Sequence, residues 1–445
     1  MQRTHEIGRL IDEGALSRQQ IVVIVLCGLA TLLDGYDIQT MALAVPSLTD
    51  EWSTEAAAFS FALSASVLGM LVGTSAVAPL GDKVGRRPIL IWGMLTVGLA
   101  SLATAYAATP TELVIWRLLT GIGLGMSLPN ATALTSEYVP LKNRAFLISV
   151  MYVCVPLGAL VAGLVAPPLI EAMSWRAIFL VGGALPLCLA IVLAAYAPES
   201  VRLLAAQRPS DPRISLLLRR FLPNVDPATA YARAEDRIAR QGVLALFAPQ
   251  FWARTTLLWC IYALNLFVLF VLISWLPTIL SDAGWTRPQA LRGAVMIQAG
   301  GIVGGLVIAK LVDVGRTVLV MASGYAIVAV SFLLFLVVPG TVPAWTLLLL
   351  IIGAGVSGAQ AALNALSAIF YPPSLRATGA GWASACGRAG AVVAPLAGGL
   401  VLRYFDLEPE QHLMLLIPPM LVCGLCVLLL PYAWQESRAK LAPTL

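Results

Sequence analysis

Long apolar blocks separated by short polar ones run along nearly the whole chain. Reading those blocks against prolines, glycines and charges predicts twelve spans. Six lie near residues 20–46, 56–80, 89–108, 111–136, 144–170 and 175–197, and six near 255–281, 290–312, 317–338, 344–370, 377–402 and 413–434. Each is long enough to cross a hydrocarbon core of about 30 Å as a helix. A polar stretch rich in arginine and proline, Pro198 to Arg254, separates the two sets. The expected organisation is therefore a six-helix half over residues 1–197 including its tail, a linker over 198–254, and a second six-helix half over 255–445. Within the linker, "NVDPATAYARAEDRIARQGVL" predicts a surface helix with Asp226 as N-cap and Pro227 in the first turn. The opening residues, "MQRTHEIGRLIDEGALSRQ", are polar and mixed in charge, without the apolar core and cleavage site of a signal peptide, so the first apolar block is expected to remain as a helix.

Composition agrees with this pattern. Of the 445 residues 59% are hydrophobic and 11% charged, against about 25% charged in an ordinary soluble domain. The fold class expected is an all-α membrane protein. The net charge of +5 comes from basic residues gathered in the tails, the alternate loops and the linker, among them Arg18, Lys83, Arg86, Arg87, Arg144, Arg254 and Arg376. Opposite them stand only Arg176, Arg287, Arg292 and Arg403. The positive-inside rule then puts both termini and the linker in the cytoplasm, and no nucleic-acid partner is needed to explain the charge. Seven cysteines all fall in apolar blocks, which suits packing rather than disulfides or a metal site. "GAGVSG" (Gly353–Gly358) has dinucleotide-loop spacing but lies in an apolar helix, where small residues serve close contact. With no phosphate loop and no hydrolase or metalloprotease motif, the chain is expected to be neither an enzyme nor a user of cofactors.

The remaining candidate chemistry is the set of charges inside the spans: Asp34 and Asp37 in the first, Arg117 in the fourth, Arg388 in the eleventh. An ionisable group at that depth costs about 2.5–3.5 kcal/mol and needs a partner or a function. Asp34 lies about 21 Å along its helix, near the bilayer centre, and Asp37 shares roughly its face. Either could be a structural partner of Arg117, or could take up and release a proton; His5 and His412, in a tail and a loop, cannot relay protons through the middle. Arg388 either pairs with a helix 1 aspartate or receives an anionic substrate on its planar fork. Two Asp and two Arg balance, so an incoming anion would need an accompanying proton, a physical reason to expect symport. Trp259, Tyr262, Asn265 and Trp275, with Gln360 and Asn364, are candidates to stack on a ring and bond its substituents, as are Tyr36, Gln39 and Asn130.

Internal repetition supports six plus six: "GDKVGRRP" (Gly81–Pro88) and "KLVDVGRT" (Lys310–Thr317) occupy equivalent short turns. "DKVGRR", "RLLTGIGLG" (Arg117–Gly125) and "PESVR" (Pro198–Arg202) resemble landmarks of the major facilitator superfamily, with Lys83 where arginine is commoner and Ala78 in place of a leading glycine. More narrowly, "LDGYD", "GMSLPNATALTSEYVPLKNR", "SWLPTIL", "GAQAALNALSAIFYP" and "FYPPSLRATGAGWASACGRAGAVVAPLAGG" resemble the aromatic acid:proton symporters. The resemblance implies proton-coupled import of a benzoate- or hydroxybenzoate-like anion by alternating access, in a bacterial inner membrane, with protons the only coupling ion and a monomer the family default. It also implies that Asp82 locks the inward gate with Arg86 and Arg87. Glu137, Arg144 and Arg376 are candidates for the same latch, as is Asp313 in the second half, although "VDVGRT" is one residue shorter than the family's turn. Rival readings are a symporter of another organic anion and a membrane sensor that does not transport.

Overall fold

The computed structural model describes residues 5–6, 11–12, 16–207, 211, 214, 216–217, 230–231, 243–313, 317–371 and 373–441. Its architecture is helical but for a two-residue parallel pairing of His5–Glu6 with Ala230–Tyr231. The long helices are α1 (Arg18–Trp52), α2 (Ser60–Val72), α3 (Arg86–Ala105), α4 (Pro110–Tyr138), α5 (Leu141–Ala172) and α6 (Arg176–Tyr196), followed by α7 (Trp252–Asp282), α8 (Met296–Asp313), α9 (Thr317–Leu334), α10 (Val342–Phe370), α11 (Pro373–Tyr404) and α12 (Ile417–Leu441). Among the described residues eleven helices are long and apolar enough to cross a membrane, and the shorter apolar Val318–Leu334 falls at the expected ninth span.

Departures from the expected spans have local causes. α1 continues through Pro46 to Trp52; a proline removes one donor, which a membrane helix tolerates where neighbours re-satisfy the backbone. After α2 the backbone loosens into a π-turn at Gly73–Val77, tightens into a 3-10 turn at Ala78–Leu80 containing Pro79, and ends in the short helix Gly81–Val84. The expected eighth span is split. Arg287–Ala294 forms a separate helix started by a reciprocal Thr286–Gln289 capping box with proline in its first turn, and the chain bends at Val295 before α8. A second capping box, Glu408 with Gln411, similarly starts Pro409–Met414 ahead of α12. In the linker, Ala230–Tyr231 is extended where a surface helix was expected, because its backbone groups are spent on the N-terminal segment rather than on a helical turn. The rest of that expected helix, through residue 242, lies outside the described residues.

The chain divides into two compact units. Unit 1 is Met1–Ile38, Leu68–Ala159 and Arg176–Asp236; unit 2 is Gln39–Val67, Leu160–Trp175 and Arg237–Leu445. The boundary cuts α1, α2 and α5 in mid-helix.

Between helices in lipid there is little hydrophobic driving force, so backbone proximity and dispersion have to hold them together. In unit 1, α1 and α5 touch at glycines: a Cβ on Gly35 would stand 1.9 Å from the Val155 carbonyl oxygen, and one on Gly158 1.8 Å from that of Leu32. α2 meets α4 in the same way, at Gly69 on Leu118 and Gly125 on Met70. Unit 2 repeats both crossings, with Gly390 of α11 on Ala263 of α7, and Gly300 of α8 on Leu350 of α10. Equivalent helix pairs are thus closed by equivalent small residues. The apolar centre of unit 1, including Cys27, Ala30, Leu90, Met94, Leu134 and Leu193, is fully buried around these crossings.

Gly158→Ala is expected to cost about 1–3 kcal/mol, because the methyl meets backbone that cannot step aside. Thermal unfolding of the detergent-solubilised protein should show a lowered midpoint for it, and none for Gly305→Ala, where nothing lies within 4 Å.

Candidate functional site

Unit 1 carries a buried charged cluster. The Arg117 guanidinium grips Asp37 with both arms, its Nη1 at 3.1 Å from Oδ1 and its Nη2 at 2.7 Å from Oδ2. Nη2 also donates to the Asp37 backbone carbonyl at 3.2 Å, and Ser101 Oγ of α3 donates to Oδ1 at 2.7 Å. Both charged side chains have zero exposure, and the Phe179 ring of α6 lies 5.8 Å from the guanidinium carbon. Bidentate geometry with further hydrogen bonds is what a desolvated ion pair requires to offset its burial.

One turn earlier on α1 the arrangement reverses. Asp34 is buried, and neither of its carboxyl oxygens meets a hydrogen-bond partner among the described residues. Between the two aspartates Tyr36 donates to the Ile178 carbonyl at 3.1 Å and packs against Gly182, which fixes the rotation of α1 against α6. Gln39 is likewise buried, with neither amide atom bonded among the described residues. Asn130 spends its amide protons on the Ala78 and Met126 carbonyls, at 3.3 and 2.8 Å, where α4 meets the turn after α2.

Unit 2 carries a neutral polar network. Asn265 of α7, fully buried, donates to Gln360 Oε1 at 2.9 Å and to the Val356 carbonyl at 3.3 Å, and accepts from the Tyr325 hydroxyl of α9 at 3.2 Å. Tyr262 donates to Asn364 Oδ1 at 3.0 Å, and Gln360 approaches the same oxygen at 3.4 Å. Four of the expected residues, Tyr262, Asn265, Gln360 and Asn364, therefore form one cluster on α7 and α10. Trp259 sits apart, stacked on Trp382 at 6.0 Å with Phe247 edge-on at 5.3 Å. Trp275 is packing: its indole donates to the Pro395 carbonyl at 3.0 Å. Arg388 is half-buried on α11.

Of the expected latch residues, Asp82, Arg86 and Glu137 meet at the start of α3. Arg86 pairs with Asp82 at 3.3 Å and with Glu137 at the end of α4. Arg87 instead donates to the Ala194 carbonyl. Arg144 pairs with Asp12 and donates to the Val139 carbonyl at 3.2 Å. At the centre stands Glu199, just after α6. Its Oε1 accepts from the backbone N–H of Arg86 at 3.0 Å, Arg87 at 3.4 Å and Ser200 at 2.9 Å. It thus places a carboxylate on the positive end of α3. The chain reaches it through Gly85, whose φ of +124° a side chain would resist. Tyr138 closes the cluster by donating to the Glu199 carbonyl at 2.6 Å. Ser101, Tyr325, Glu199 and Asp12 were not singled out from the sequence. Tyr325, the one tyrosine of α9, and Glu199, an acid directly after an apolar helix, were the two with a readable signal. The side chains of Asp313 and Arg376 lie outside the described ones.

Among the described residues, eleven helices of this length and composition are those of an integral membrane protein. A family model described as Major Facilitator Superfamily matches residues 27–395 and 298–441. The chain is 34% identical over 400 residues to the 4-hydroxybenzoate transporter PcaK of Pseudomonas putida, covering 89% of each. It is 34% identical over 401 residues to the gallate transporter of the same species, covering 88% of each. Its fold superposes on the xylose transporter XylE from E. coli in an inward open conformation, with a TM-score of 0.71 over 95% of this chain and 99% of that one. At 16% identity this last likeness concerns the fold alone. The chain belongs to the aromatic acid transporters of the Major Facilitator Superfamily and is not an enzyme.

Arg117→Gln is expected to cost about 3–5 kcal/mol, because Asp37 is left buried and unanswered. The double variant Asp37→Asn with Arg117→Gln should recover much of that loss. Thermal unfolding of both singles and the double would measure the coupling, and additive losses would mean that the contact is not the stabilising one.

Proposed function

We propose that this protein imports a hydroxybenzoate-type aromatic carboxylate together with a proton. The two six-helix halves, 1–197 and 255–445, alternate access across a bacterial inner membrane, with both termini and the linker in the cytoplasm. The observation that carries the substrate class is the full-length similarity to two transporters of hydroxylated benzoic acids. The basic residues of the tails and linker support the orientation.

For the coupling, the two aspartates take different roles. Asp37, answered by Arg117 and Ser101, is the fixed charge that holds α1, α3 and α4 in register. Asp34, buried without a donor among the described residues, is the proton carrier: ionised it would cost several kcal/mol at that depth, and a proton removes the cost. Arg388 receives the substrate carboxylate. The amides of Gln39, Gln360 and Asn364, with Asn265 and Tyr262 behind them, select ring hydroxyls. Binding of the anion and of the proton together keeps the site neutral, so neither moves alone. Asp82, Arg86, Arg87, Glu137 and Arg144, with Glu199 on the backbone of Arg86 and Arg87, form the cytoplasmic latch, with Asp313 and Arg376 its counterpart in the second half. A small difference in their pairing between two states is enough to bias the exchange.

Labelled 4-hydroxybenzoate should accumulate in proteoliposomes with an acidic exterior, and a protonophore should abolish the accumulation. Asp34→Asn should keep an unfolding midpoint near that of the parent and retain counterflow while losing gradient-driven accumulation. Full accumulation by Asp34→Asn would remove Asp34 from the coupling. Counterflow with only non-aromatic anions would favour the wider organic-anion reading, and binding without any flux a sensor.

A further inference from the structure

The start of α7 holds an arginine that no carboxylate neutralises among the described residues. Arg254 is 6% exposed, yet among the described residues it has no carboxylate partner and its Nε meets no acceptor. Its guanidinium carbon lies 4.2 Å from the centre of the Phe251 ring and 5.9 Å from that of Tyr371. Phe251 is the N-cap residue of α7, so the guanidinium is folded back over the helix start. There no side chain caps the backbone and no acidic residue stands in the first turn. A cation at that end works against the helix dipole. Two electropositive elements therefore coincide, the uncapped first turn and a desolvated guanidinium, which the Phe251 ring face holds in place. The nearby hydroxyls are already committed, Tyr371 donating to Thr255 at 3.1 Å and Thr255 to the Leu246 carbonyl at 3.0 Å. They hold the 3-10 turn Val243–Phe247 against α7, and leave the anion to the arginine.

What flanks this spot identifies the anion. Leu244 is 83% exposed, Phe247 46% and Trp252 52%, all within ten residues of the arginine and at the end of a membrane-crossing helix. Tryptophan beside exposed aliphatic and aromatic groups at a helix end marks the boundary between headgroups and acyl chains. Basic pockets at that level hold the headgroups of anionic lipids. The geometry points to a phospholipid site at the start of α7, with Arg254 binding the phosphate of an anionic headgroup and Leu244, Phe247 and Trp252 lying against its acyl chains. Such a lipid completes the charge balance at the helix start and ties the end of the linker to the membrane surface. Nothing in the transport reading requires it, and it stands or falls independently of the substrate.

Native mass spectrometry of the purified, delipidated full-length chain, titrated with phosphatidylglycerol or with phosphatidylcholine, tests this. The parent protein should retain one phosphatidylglycerol in preference to phosphatidylcholine, and millimolar inorganic phosphate should not displace it. Arg254→Gln should weaken that retention about tenfold, the loss expected for a charge-assisted hydrogen bond, with Arg254→Lys in between. Equal retention of the two lipids by the parent, which needs no variant to fold, would overturn the site. So would unchanged occupancy in Arg254→Gln, and displacement by inorganic phosphate would overturn its assignment to a lipid.

Discussion

The two-armed contact between Asp37 and Arg117 joins α1 to α4 where no water can reach either charge, and Ser101 adds α3 to the same carboxylate. The helices cannot rotate or slide there without exposing an unanswered charge to low dielectric. That fixes the rotation of α1, and with it everything else α1 presents. Glycine crossings with α5 bring the backbones into contact only at one rotation of α1, and the Tyr36 hydroxyl reaches the Ile178 carbonyl only there. Asp34 is then held where no donor reaches it among the described residues. In the proposed reading, the answered pair supplies the rigidity against which its neighbour one turn away changes protonation.

The twelve-span layout was legible because bilayer thickness acts on segment length, and length is written directly in a sequence. The four intramembrane charges were legible for the same reason: their cost makes each one conspicuous. Which aspartate takes Arg117 was not. Positions three apart on a helix differ by only about 60° around the axis, and the choice between them depends on the rotation of α4, which is set by glycine contacts distributed over several helices. Tyr262, Asn265, Gln360 and Asn364 were found as types and positions, but their union through Asn265 and the addition of Tyr325 required knowing which helices are neighbours. Glu199 illustrates a different gap. Its carboxylate acts on backbone N–H groups of α3, and backbone donors carry no residue signature. Arg254 was counted from sequence with the solvent-facing basic residues, because a charge near a helix end ordinarily faces water; only the rings of Phe251 and Tyr371 reveal that it does not.

The two units use one packing scheme for unlike chemistry. The crossing of α1 with α5 recurs as α7 with α11, and that of α2 with α4 as α8 with α10, each sealed by glycine on backbone. On this shared frame unit 1 places the buried Asp37–Arg117 pair, and unit 2 an amide and hydroxyl network centred on Asn265. A charged pair is strong but intolerant, since losing either member strands the other. Amides can exchange one partner for another at little cost, because each carries both donor and acceptor. The proposed division of labour follows from that difference. Groups that must keep a fixed geometry while a proton comes and goes belong beside the ion pair. Groups that must release one hydrogen-bond partner to greet a ring hydroxyl, and take it back when the ring leaves, belong in the amide network. In that proposal, equivalent backbones with unlike side chains give unit 1 the coupling and unit 2 the selection.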